Sequence, residues 1–178
     1  MRKVILYISM SLDGYIAKPD GDISFLSAME QKGQDYGYAE FNKTVDTVII
    51  GRRSYDKVLS LGYEYPHSDK DVYIITRTPQ PPKGSFKYYS GSLKTLITDL
   101  KSRPGKNIYC DGGSLIVNEL LKDNLIDEFI ISIIPIILGD GIELFNRGIA
   151  EMAIKLKGFK KFKKGLVQLH YEKILSKL

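Results

Sequence analysis

A succession of short apolar runs, most of them followed by a helical pattern, constrains this chain more than any other feature. "KVILYIS" (3–9), "DTVIIG" (46–51), "DVYIIT" (71–76), "KNIYC" (106–110) and "EFIISIIPII" (128–137) are rich in β-branched and large apolar residues. Runs of that kind, without polar alternation, read as strands buried on both faces of a sheet. Helical patterns separate them. "DYGYAEFNKTV" (35–45) sets Tyr38, Phe41 and Val45 at helical spacing, and "RRSYDKVLS" (52–60) reads as a short helix. "SLKTLITDLKS" (92–102) puts Leu93, Leu96, Ile97 and Leu100 on one face, with Ser92 able to cap it and Pro104-Gly105 ending it. "SLIVNELLKD" (114–123) is a further helix, and "FKYYS" (86–90) a weaker strand. Residues 18–34 read as a long loop. Pro135 cannot donate to a ladder, so it suggests an edge strand or a bulge. The tail alternates apolar and polar residues in "AIKLKGF" and "LVQLHYEKI" and reads as an antiparallel hairpin. The expected class is α/β, a mixed and mostly parallel sheet flanked by helices, with the hairpin at its end, in one domain over 1–178.

The 178 residues, 43% hydrophobic and 26% charged, suffice for a core without staples. Cys110 is the only cysteine, which excludes an internal disulfide and suits a reducing cytoplasm. It is read as a small core hydrophobe. The start carries no recognisable secretory signal, and no run approaches the roughly 20 apolar residues that span a bilayer. Net charge is +5, much of it in "IKLKGFKKFKKG" (154–165), read as a solvated lysine-rich hairpin. Nucleic acid and membrane are therefore not expected partners. His67 and His170 are far apart, His170 on a polar strand face exposed to solvent, and no metal site is expected. The chain has no G-x-G-x-x-G, P-loop or G-x-S-x-G motif.

Chemistry gathers where strands end. "IIGRRSY" places Gly51 between strand and helix, then Arg52, Arg53 and Ser54 in the first turn. Cations there oppose the helix dipole unless an anion sits among them. "YIITRTP" ends in Thr76 and Arg77, and "YCDGGSL" in Gly112-Gly113 before a helix. Glycines let a ligand approach main-chain amides. Each stretch has a plainer reading: solvated arginines, a polar loop, a tight turn. "SLDGYIA" (11–17) raises the same choice, between a hairpin and a loop that grips a flat ligand.

In order and spacing, "SLDGYIA", "VIIGRRSYD", "YIITRTP", "YCDGGSL" and "IIPIILGDGIELF" (133–145) resemble the dihydrofolate reductase-like proteins, in the branch typified by the reductase domain of bacterial riboflavin biosynthesis (the RibD C-terminal domain). The resemblance runs nearly end to end. It implies a three-layer fold and an oxidoreductase using NADPH. By it, Gly51, Arg52, Arg53 and Ser54 hold phosphates, and Thr76 and Arg77 lie by the adenosine 2′-phosphate. Gly112, Gly113, Ser114 and Leu115 approach the pyrophosphate, with a cis peptide expected between the glycines. Main chain near Ile16 and Ala17 meets the nicotinamide, aimed by the Asp13-Gly14 turn.

The resemblance also implies an acid on the helix before the second strand, which falls at Asp35, with Asp13 as the second acidic candidate. The plainer reading of Asp35 is an exposed helix cap. Tyr36, Tyr38 and Phe41 either line a slot for a flat substrate or belong to the core. The expected partner is a small heterocycle, pterin-like or pyrimidine-like, possible examples including 5-amino-6-(5-phosphoribosylamino)uracil. The alternative is a non-catalytic nucleotide-binding or regulatory module on the same fold. The family often pairs through sheet edges, so a homodimer is expected.

Overall fold

The computed structural model describes residues 1–174. From the N-terminus, β1 (Val4–Ser11) turns into a short β2 (Tyr15–Ala17), and a 3-10 turn covers Ser24–Met29. Then come α1 (Tyr38–Lys43), β3 (Val45–Gly51), α2 (Arg52–Ser60), β4 (Asp71–Ile75) and β5 (Phe86–Tyr89). α3 (Leu93–Ser102), β6 (Asn107–Gly112), α4 (Ser114–Lys122) and β7 (Glu128–Ile134) follow. β8 (Ile142–Glu143), β9 (Ile154–Lys161) and β10 (Val167–Lys173) complete the described chain.

The main sheet runs in the order β5-β4-β3-β6-β1-β7-β10-β9. Strands β5 through β7 in that order pair in parallel, and β10 and β9 close the far side antiparallel. Alternation along the strands feeds two cores. On one face Val4, Leu6, Ile49, Ile108 and Cys110 meet Leu96, Ile97 and Leu100 of α3 and Val117 and Leu120 of α4. On the other, Ile5, Val48, Ile50, Val72 and Tyr109 meet Phe41 of α1 and the partly buried Tyr55 and Val58 of α2. Helices therefore cover both faces, the expected three-layer, dihydrofolate reductase-like α/β arrangement. Each fully buried side chain of this kind contributes about 1.5–3 kcal/mol.

Several local expectations change. The helix expected over 35–45 shrinks to six residues, because Gly37 takes a left-handed φ of 87° and Val45 already belongs to β3. The expected loop over 18–34 contains the 3-10 turn, whose Phe25 and Met29 anchor a third small core with Ile134 and Leu166. Pro135 marks neither an edge nor a bulge: β7 stops at Ile134 and lies between β1 and β10 inside the sheet. The tail hairpin forms as expected. His170 is not simply solvated, since its Nε2 lies 2.7 Å from Glu128. Glu128, 5% exposed, also accepts from Lys3 and Lys157. Cys110 is wholly buried, and burial pushes its thiol up to about 12. Among the described residues no helix is long and apolar enough to cross a membrane.

Candidate active site

Parallel register lines up the strand ends that carry the glycines and arginines. Gly51 pairs with Ile75, which Thr76 and Arg77 follow, and Ile50 pairs with Gly112. The ends of β4, β3 and β6 thus form one continuous rim, the edge where ligands collect in open α/β sheets. Two helices start from it. Gly51 caps α2 and Gly113 caps α4, and neither receives a side-chain capping bond. α3 differs: Ser92 Oγ accepts from the Thr95 N–H. In α4 the Ile116 N–H donates back to the Gly113 carbonyl at 3.0 Å, and the N–H groups at the head of each helix are left to another acceptor.

The rim is closely packed. A Cβ on Gly51 would stand 3.0 Å from Ile116 Cγ1, and one on Gly113 would stand 2.6 Å from Ser54 Oγ. The Gly112–Gly113 peptide is cis. Arg52 turns along its helix, its Nε 2.7 Å from both Asp56 oxygens and its guanidinium 5.5 Å above Tyr88. Arg53 and Arg77 are exposed and make no salt bridge among the described residues. Thr76 Oγ1 accepts from the Thr78 N–H at 3.1 Å and shapes its turn. Ser114 is buried, and its hydroxyl donates to the Glu143 carbonyl at 2.5 Å, so only its main chain faces the rim. Leu115 is exposed.

The segment after β1 is a turn followed by strand. Asp13 organises it: its carboxylate accepts from Ser11 Oγ at 2.6 Å, Leu138 N at 3.1 Å and Gly139 N at 2.7 Å. The Ser11 hydroxyl, with those amides, holds the Asp13 carboxyl at about 2. Ile16 and Ala17 lie in β2, which pairs antiparallel with β8, a ribbon the sequence did not signal. A Cβ on Gly141 would collide with the Ala17 carbonyl.

A cleft of about 670 Å³ is lined among others by Tyr7, Ser9, Gln34, Asp35, Tyr36, Tyr38 and Ser132. Asp35 sits at its edge as an exposed helix cap, accepting from Ala39 N at 2.9 Å and Gly37 N at 3.0 Å. Those amides hold its carboxyl below the ordinary carboxylate value. Tyr36 and Tyr38 line the slot, whereas Phe41 belongs to the core, stacked on Tyr7 at 4.5 Å.

Behind the cleft lies a polar cluster that no motif announced. Tyr38 Oη is 2.9 Å from His67 Nε2, and Tyr65 and Tyr109 both donate to Asp111. Burial lowers the pKa of His67, which is 1% exposed, and raises those of Tyr65 and Tyr109. Tyrosine, histidine and aspartate spread over 38–111 share no periodicity, so only tertiary packing reveals the group. Among the described residues no cluster of His, Cys, Asp and Glu has the make-up of a metal site.

The family model for the RibD C-terminal domain matches residues 2–168. An uncharacterised Bacillus subtilis (strain 168) protein, YwjB, is 43% identical over 171 residues, 96% of this chain and 97% of that one. A solved Shewanella sp. PV-4 protein, whose name places it provisionally in riboflavin biosynthesis, superposes with a TM-score of 0.88 at 29% identity, over 97% of this chain and 99% of its own. A Thermotoga maritima diaminohydroxyphosphoribosylaminopyrimidine deaminase/5-amino-6-(5-phosphoribosylamino)uracil reductase shares the fold, with a TM-score of 0.72 at 18% identity; the match covers 97% of this chain and 57% of that one.

Proposed function

The chain belongs to the RibD C-terminal domain family, and from that premise we propose that it is an NADPH-dependent reductase of a small pterin-like or pyrimidine-like substrate. One observation carries the reading. α2 and α4 both start without side-chain caps at adjacent strand ends, with Arg53 and Arg77 exposed beside them. Oriented N–H groups and guanidinium groups together suit the phosphates of a dinucleotide. In this reading Gly51, Arg52, Arg53 and Ser54 hold phosphates, Thr76 and Arg77 take the 2′-phosphate, and the main chain of Gly112 to Leu115 meets the pyrophosphate. The close approach of Gly113 to Ser54 supports a backbone surface with no room for side chains. Bound there, the cofactor supplies a hydride.

The chain's own residues bind and orient. Asp13 fixes the turn that presents Ile16 and Ala17. Asp35, a charged cap with lone pairs to spare, accepts from an N–H edge of the substrate. With the cofactor at the rim and the substrate in the cleft, the reading requires both rings to be held together, which is the main requirement of hydride transfer. A cytoplasmic homodimer completes the proposal: β9 is an outer strand of the sheet, with Leu156 and Phe159 exposed among Lys155, Lys157, Lys160 and Lys161.

Turnover tests the proposal. Loss of reduced-nicotinamide absorbance is followed with a panel of oxidised pterins and pyrimidines. NADPH-specific consumption with any one supports the reductase. NADPH binding without turnover across the panel points instead to a nucleotide-binding module.

A further inference from the structure

One face of the sheet is left uncovered at its tail end. α4 packs on β3 and β6, and among the described residues no helix makes comparable contact with β10 or β9. Strand register shows what is left bare. Phe159 of β9 stands opposite Leu169 of β10, and Leu169 opposite Ile131 of β7. Leu156 stands opposite Tyr171, and Tyr171 opposite Phe129. Residues directly opposite one another share a face, so these apolar side chains form one continuous surface. Its outer end is open to solvent, with Phe159 69% exposed and Leu156 47%. Contiguous apolar surface of this kind marks an interaction site. Beside it lies a cavity of about 450 Å³ that the proposed reaction does not use, walled in part by Met10, Ile131, Ile149, Met152, Leu169 and Tyr171. Leu169 joins the two features: a hollow and a protruding aromatic ring sit side by side on one face.

The charges of β9 are a separate observation. Lys155 stands opposite Glu172, and Lys160 opposite Gln168, both turned by alternation to the other face of the sheet. Lys157 reaches that face too, its Nζ 3.0 Å from Glu128. An anionic partner laid over Phe159 would therefore meet a single lysine, Lys161, which stands opposite Val167. Lys161 makes no salt bridge among the described residues. Neither does Glu151, an exposed residue between Ala150 and Met152 of the cavity wall. The face thus carries both halves of two contacts, ring and hollow, cation and anion. Such a patch is complementary to itself, and self-complementary patches pair across a two-fold axis.

We propose that a second copy of the chain covers this face, sheet stacked on sheet, with Phe159 of each copy seated in the other's cavity and Lys161 of each beside the partner's Glu151. The inference rests on the homodimer reading and specifies it: the copies meet face to face, and the outer main chain of β9 is not the joint. Sedimentation equilibrium of the full chain tests it. The unmodified protein should dimerise. Phe159→Asp removes the ring and Ala150→Phe fills the hollow, and each should weaken the dimer at least about thirtyfold. Lys161→Glu should weaken it about tenfold, or about threefold at each of the two symmetric contacts, and adding Glu151→Lys should recover that loss. All four positions are exposed, so the variants should keep the circular dichroism and the NADPH affinity of the unmodified protein. The charge pair tests the contact without touching apolar packing. A dimer that persists unweakened in Phe159→Asp and Ala150→Phe overturns the inference and leaves the homodimer reading standing. A chain that stays monomeric at every concentration overturns both.

Discussion

Gly113 lies so close to Ser54 that a Cβ added to the glycine would stand 2.6 Å from the serine hydroxyl, yet 4.0 Å from its Cβ. The start of α4 therefore packs directly on the first turn of α2. Gly113→Ala should destabilise the fold by about 1–3 kcal/mol, the usual range for overpacking. Removing the hydroxyl leaves an ordinary contact, so Gly113→Ala with Ser54→Ala should recover most of that loss in urea unfolding. Equal stability of the single and double variants would show that the contact is not the cause.

Arg77 follows the end of β4 and has no acidic partner among the described residues, whereas Arg52 is held by Asp56. Arg77→Gln should weaken NADPH by about 1.5–3 kcal/mol, the value of a charge-assisted hydrogen bond. NADH, which lacks the 2′-phosphate, should barely change. Equal losses for both coenzymes would move Arg77 away from that phosphate.

Asp13 ties the turn after β1 to Leu138 and Gly139. Its carboxyl stays at about 2, so its titration should leave no step in a pH–rate profile near neutrality. Asp13→Ala should raise KM for NADPH with little change in melting temperature. Asp13→Asn, which retains one acceptor oxygen, should be milder. Identical behaviour of the two would argue against a clamp.

Glu128 is the group whose ionisation bears on stability. Burial opposes its charge, but hydrogen bonds from Lys3, Lys157 and His170 prevail and hold its carboxyl at about 2. A carboxyl lowered in the folded state stabilises above its unfolded value and loses that contribution as pH falls through the folded one. The unfolding free energy should therefore drop between pH 4.5 and about 2, by on the order of 3 kcal/mol. Glu128→Gln should flatten that segment of the curve, and an unchanged slope would rule out this origin.

The sequence carries the rim more openly than the cleft, for a physical reason. Gly51 and Arg52, or Gly113 and Ser114, are neighbours in the chain, so a strand-to-helix junction and its chemistry appear in one short quotation. Ser9 and Ser132, both of which line the cleft, meet only through strand register, and no local pattern encodes which strands adjoin. The same limit explains Pro135, which follows the end of a strand that only the pairing of β10 beyond β7 places inside the sheet. In the sequence Asp35 reads both as an acid and as a cap. Its capping bonds to Gly37 and Ala39 are local and visible in the spacing, while its position at the cleft edge is not. His170 reads as solvated in the sequence because its partner Glu128 lies on another strand.

Titration of the unmodified protein with NADPH and NADH by calorimetry bears most directly on the dinucleotide rim. Saturable heat with NADPH and weaker binding of NADH are expected. No heat with either coenzyme would contradict the dinucleotide rim.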